Sequence, residues 1–252
     1  MLLTFIKPRY YGPSGIMATV LAKKSQAWHV IVLTAALAAV SIASAETPKT
    51  QRVKVGQNVL LEIEGKTRRV IIDAYVVLRQ GMLEQLLCRR GTKEHEAILA
   101  ADIDARDVHR ALLVAGAKPG SVMRYTPEFQ PPKGSVVHVT LQYTGKDGRT
   151  VSTRAQDWVR DIKTHQALPY DWVFAGSFMR ENPLDKNGPP LYGANGGDVI
   201  CVSNFEDAML DLPVASTSDN SELEYEAWTD RIPLPLTRVS IILEPAADKN
   251  GK

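Results

Sequence analysis

Residues 91–120 read GTKEHEAILAADIDARDVHRALLVAGAKPG, and the fold is argued outward from them. Val108, Ala111, Leu112 and Ala115 recur at the spacing of one helix face. Asp104 stands just ahead of them as an N-cap, because its carboxylate can accept from the first free backbone N–H groups. Asp107 adds negative charge at the positive end of the helix dipole. Gly116 suits a left-handed C′ position and Pro119 blocks further helix. Start, face and stop agree on a helix over about residues 105–115.

The segment before this helix reads as a strand, with Glu94, Glu96 and Ile98 on one face and Lys93, His95, Ala97 and Leu99 on the other. Met82 to Cys88 reads as its hairpin partner, joined through Arg89-Arg90-Gly91-Thr92. Glu84 lies on that partner, so Glu84, Lys93, Glu94, His95 and Glu96 form the candidate polar site. A proton shuttle or part of a metal shell, with His95, Glu96 and Glu84 as possible ligands, is one use of such a set. An ordinary solvated hairpin end with cross-strand Glu–Lys pairs is the other. His109, on the helix flank, and His138, within a hairpin, are further histidine candidates.

The first 45 residues have the order of an export leader. Lys7, Arg9, Lys23 and Lys24 precede an apolar run from Ala27 to Ile42, and Ala43-Ser44-Ala45 makes an A-x-A cleavage site. Met17 is an alternative start that would shorten the leader. The apolar run is shorter than the roughly 20 residues a spanning helix needs, and no later segment is apolar enough to span. The expectation is a signal peptide over 1–45, one domain over 46–248 and a disordered tail over 249–252. The site of residence is then periplasmic or extracellular.

Lys and Arg number 30 against 28 Asp and Glu, a net charge of +2. The leader holds four of the basic residues and no acidic one, so the remainder is faintly acidic. That balance gives no footprint for nucleic acid. The only cysteines, Cys88 and Cys201, lie in apolar strand-like runs. They suit either one disulfide in an oxidising compartment or two buried thiols. Two are too few for the four thiolates of an ordinary iron–sulfur cluster.

Elsewhere, Val53, Val55, Val59, Leu61 and Ile63 mark strand faces broken by turns at Gly56-Gln57-Asn58 and Gly65-Lys66. RVIIDAYVVL, residues 69–78, is apolar on both faces and reads as a central strand. Asp73 inside it calls for a partner such as Arg79 or Lys93. Val136 to Tyr143 and Arg149 to Arg154 make a hairpin about an Asp-Gly turn. Gln156 to Ile162 reads as a short helix, and residues 171–178, 198–202 and 238–243 as strands. Gly176-Ser177 lacks the flanking glycines of a nucleophile elbow, and Asn195-Gly196-Gly197 is too short for a phosphate loop. The tally predicts an α+β fold: largely antiparallel sheet, with the one main helix packed on a face.

Six segments in this order, LRQGMLEQLLCRRGTKEHEAIL (78–99), VHRALLVAGAKPG (108–120), QDWVRD (156–161), DWVFAGS (171–177), GGDVICVSNF (196–205) and MLDLPV (209–214), resemble the YdjY domain family. Many of its members are exported proteins of planctomycete bacteria. The likeness implies an exported domain but no catalytic role or ligand for any position. A ferredoxin-like label given to some members does not suit a chain with two cysteines. Two functions remain open: a non-enzymatic module of the cell envelope that binds a ligand or a protein partner, and a metal-dependent enzyme or redox accessory. The second would be built on Glu84, Cys88, His95 and Glu96, with Cys201 or Asp198 added.

Overall fold

The computed structural model describes residues 50–183, 185, 187–216 and 223–247. The expected leader and the tail over 249–252 lie outside them. The chain divides after Ala45, and residues 46–252 form one unit by themselves. Strand makes up 42 % of the structure and helix 9 %, so the body is β-dominated.

Eleven strands form its main sheet. In chain order they are β1 (Gln51–Gly56), β2 (Val59–Glu64), β3 (Thr67–Val76), β4 (Gln85–Arg89), β5 (Ala97–Ala101), β6 (Val136–Thr144), β7 (Thr150–Arg154), β8 (Trp172–Phe174), β9 (Ile200–Cys201), β10 (Leu210–Asp211) and β11 (Arg238–Pro245). The first three follow one another as antiparallel hairpins through the expected turns, with Asn58 and Gly65 at positive φ. The β6–β7 hairpin also forms as expected.

The sheet closes. β3 pairs along most of its length with β2, but its last residues, Tyr75 and Val76, pair with Ala100 and Leu99 of β5. The ring then runs β3–β11–β6–β8–β10–β9–β4–β5 and back to β3. It is an eight-stranded barrel, with β1–β2 and β7 as extensions outside the ring. Two of its seams, β9–β10 and β4–β5, are parallel and the others antiparallel. This corrects the expectation of antiparallel sheets with a helix on one face: the ring is closed on itself, and the sheet's edges lie on the β1 and β7 extensions.

An eight-stranded barrel is just wide enough for side chains to fill. Alternate residues supply the filling: Val70, Ile72, Ala74 and Val76 on β3, Val137, Val139 and Leu141 on β6, and Val239, Ile241 and Leu243 on β11 are buried in one cluster with Trp172 and Phe174. Asp73, on the opposite face of β3, is exposed and accepts from Ser240 Oγ (3.3 Å) rather than from Arg79 or Lys93.

The helix α1 (Ala105–Val114) matches its expected span, buries Ala105, Val108, Ala111 and Leu112, and lies against β1, β2 and β3. Asp104 caps it by accepting from Arg106 N (2.9 Å). Gly116, at φ +99°, ends it, with Ala117 N reaching back to Leu112 O (2.9 Å). The short helix expected at residues 156–162 is a 3₁₀ turn, Ala155–Trp158, followed by a strand, Val159–Asp161.

One expectation at the anchor is overturned. β4 and β5 are not a hairpin; they run parallel, Gln85 opposite Ala97 and Arg89 opposite Ala101. Residues 90–96 carry the chain back through turns rather than as strand. Such a return is shorter than the dozen or more residues usual between parallel neighbours. It is held by Thr92 Oγ1 on Arg89 O and by Gly91 N on Glu94 Oε1.

Candidate functional site

The tight return between β4 and β5 gathers the polar candidates. Glu84 and Gln85 backbone N–H groups both donate to Glu96 O, at 3.0 and 3.1 Å, so Glu84 and Glu96 lie side by side. Lys93 folds inward over them. Its Nζ is 3.4 Å from Glu84 Oε2, 3.7 Å from Glu96 Oε1 and 3.1 Å from Asp198 Oδ1. Gln85 Nε2 donates to the same Asp198 oxygen (3.1 Å), and the Phe205 ring centre is 4.2 Å from the ammonium.

The knot is recessed. The side chains of Glu84 and Asp198 are 9 % and 8 % exposed, and that of Lys93 24 %. Burial pushes the Glu84 carboxyl up, a hydrogen bond shared with Glu96 pushes it further, and Lys93 opposes both. Burial works against the Lys93 charge, but Asp198 and Glu84 outweigh it and raise the ammonium's pKa.

Of the five residues expected at this site, the structure brings together Glu84, Lys93 and Glu96. His95 points away, with its side chain 76 % exposed and only Glu96 near it (3.6 Å). Glu94 turns back to Gly91 N. Glu84, His95 and Glu96 are therefore not assembled as a ligand set, and the position a cation would take holds the Lys93 ammonium. Among the described residues no group of three or more His, Cys, Asp or Glu is placed to hold a metal. Cys88 and Cys201 are both free and buried. Burial pushes the Cys88 thiol up to about 11 and the Cys201 thiol well above its ordinary value, so neither is a ready thiolate.

Gln85, Gly197 and Phe205 belong to the knot but were not singled out by sequence. Gly197 sits at φ +131°, and a Cβ there would come within 2.9 Å of Lys93 Cγ. The Asn195-Gly196-Gly197 run was the one visible sign that a backbone makes a close approach here.

A second polar group joins α1 to the loop after β8. His109 Nδ1 is 2.8 Å from Tyr192 Oη, and Tyr192 Oη donates to Gly176 O (2.8 Å). With the tyrosine proton committed to a carbonyl, His109 Nδ1 is the donor. Burial lowers the His109 pKa. Ser177, at φ +53°, accepts from Ala194 N (3.0 Å). His138 pairs with Asp171 at 3.3 Å.

A broad concave surface lies elsewhere, on the outward face of β2, β3, β11 and β6. Two adjoining grooves of about 650 and 730 Å³ share Arg52, Asp73, Gln142 and Ser240. Part of their charge is mutually paired, Arg52 with Glu62 and Arg69 with Glu244, Glu64 and Glu62, while Asp73, Arg90, Asp102 and Arg238 line the first groove outside these pairs. Those carboxylates, Glu244 first, hold the Arg69 guanidinium above its ordinary pKa against the opposing effect of burial.

The family model for the YdjY domain matches residues 61–244 of the chain. No curated protein and no solved structure matches it.

Proposed function

The chain belongs to the YdjY domain family, and from there we propose that it is an exported, non-enzymatic binding module of the cell envelope whose recognition surface is the polar outer face of the barrel wall. The observation that carries the reading is the pair of adjoining grooves across β2, β3, β11 and β6. Arg52 and Arg69 are already matched with Glu62, Glu64 and Glu244, so a charged ligand meeting them would have to break existing pairs. Beside Asp73, Arg90, Asp102 and Arg238 at one end, the face offers a row of neutral groups: Thr140, Gln142, Thr144, Thr150 and Tyr75. Ranks of hydroxyl and amide groups along a strand surface suit a neutral, hydroxyl-rich ligand such as an oligosaccharide. No helix among the described residues is long and apolar enough to cross a membrane.

The test is binding of the labelled protein to an array of oligosaccharides, followed by titration calorimetry on those retained. The double variant Thr140→Ala, Gln142→Ala should weaken binding about tenfold, the loss of one or two net hydrogen bonds. Retention of no oligosaccharide by folded protein, or equal affinity in the variant, overturns the reading. The metal-enzyme alternative is not favoured by any observation at the Glu84–Glu96 return.

A further inference from the structure

The recessed knot at Lys93 has the components of a self-made covalent crosslink. Lys93 Nζ lies 3.1 Å from Asp198 Oδ1, and the two belong to segments far apart in sequence that meet only in the folded barrel. The carboxylate is held in place by Gln85 Nε2. Glu84, whose carboxyl sits 3.4 Å from the same ammonium, adjoins Glu96 with a shared hydrogen bond. The Phe205 ring covers Nζ from the other side. Gly197 lets the lysine stem lie against the backbone next to its target. We propose that Lys93 and Asp198 become joined by an intramolecular amide bond, formed by the folded protein itself.

The step balances with groups already present. Lys93 passes one ammonium proton to the Glu84–Glu96 pair, and Asp198 takes a proton from Glu84 to become the neutral acid. The free amine attacks Asp198 Cγ, forming the N–C bond. The second nitrogen proton moves through Glu84 to the departing oxygen, the C–O bond breaks, and water leaves. Glu84 and Glu96 end as they began, so the pair acts as a relay and no oxidant or activated donor is consumed. An ammonium and a carboxylate in open water stay an ion pair. Here the two are recessed, 24 % and 8 % exposed, and the amine forms against the raised pKa of the ammonium by handing its proton to the neighbouring Glu84–Glu96 pair. The buried Gln85 Oε1, which has no hydrogen-bond partner, offers an acceptor to the amide N–H that results.

Further support comes from what the bond would fasten. Asp198 precedes β9, a strand of two residues held to β10 by one registered pair. Lys93 lies in the return between β4 and β5. An amide between them would clamp the β9–β4 seam, next to that thinnest part of the ring.

The crosslink is read by peptide mapping of the full-length protein, unfolded, reduced and digested with trypsin. The expected result is a branched product joining the peptide of residue 93 to that of residue 198, lighter than their sum by one water and uncleaved after Lys93. Recovery of both peptides only in unlinked form, with cleavage after Lys93, overturns the proposal and leaves a plain ion pair. Glu84→Gln, checked for folding by circular dichroism, should lower the linked fraction at least tenfold. A fully linked Glu84→Gln protein would overturn the relay assigned to Glu84. The groove reading is independent of either result.

Discussion

At the scale of the residue, two positions carry sharp expectations. Gly197→Ala forces a side chain into φ +131° and against Lys93 Cγ. It should destabilise the protein by about 1–3 kcal/mol in urea unfolding, since non-glycine residues in such regions are strained. Asp211 is the second. It is fully buried on β10, its Oδ1 accepts from Asn204 Nδ2 and Leu212 N, and its Oδ2 has no partner. Burial pushes its carboxyl up to about 7. An acid whose folded pKa is raised holds its proton longer folded than unfolded. Stability from this group is therefore full below the unfolded value near pH 4, and falls as pH rises to about 7. The loss should reach a few kcal/mol. Asp211→Asn keeps the accepting oxygen and cannot ionise, so its urea midpoint should fall less than the wild-type midpoint between pH 4 and 7. Parallel pH profiles for the two proteins would count against this assignment.

At the scale of the element, α1 is the best-read piece. Its cap, face and stop were all set by local chemistry, and local chemistry is what a sequence displays. Asp104 does more than cap: Asn195 Nδ2 donates to it, and Asn195 Oδ1 accepts from Ala105 N, so the helix start is tied to a distant turn. Asp104→Ala should cost about 1–2 kcal/mol in urea unfolding, with faster amide exchange at Ala105 and Arg106 than elsewhere in the helix. The return at residues 90–96 was misread for an instructive reason. Alternating side chains at Glu94, Glu96 and Ile98 look alike in strands of either direction. Direction is decided by the connection, and Gly91 permits a hairpin as well as a sharp turn back. Lys93 was legible as part of a polar cluster. Its main partner, Asp198, was visible only as an afterthought, because more than a hundred residues separate them.

At the scale of the whole molecule, most of the strands could be read, though several bounds shifted, whereas ring closure could not. Closure depends on where β3 trades one neighbour for another, from β2 to β5, and no pattern within β3 announces the trade. The two-residue strand β10 was equally opaque, since Leu210 and Asp211 carry no period, whereas β9 falls within the strand expected at residues 198–202. The ring is unevenly fastened. β11 is registered against β3 from Arg238 to Leu243 and against β6 from Val239 to Pro245, whereas β9 and β10 share one registered pair, Ile200 and Leu210, flanked by Leu210 N on Val199 O and Met209 N on Asp198 O. Native-state hydrogen exchange should find Ile72, Leu141 and Ile241 amides the slowest and those of residues 198–202 at least tenfold faster. Uniform protection around the ring would contradict this.

β11 is the most centrally placed strand and also the last of the eleven along the chain. As the polypeptide emerges from the ribosome, β3 and β6 wait with an empty berth between them until residues 238–245 arrive. Completion of the body is thus withheld until residues 238–245 have been made, and pairings this distant in sequence form slowly. A chain stopped short of Arg238 would leave two long neighbours exposed to whatever other polypeptide is near.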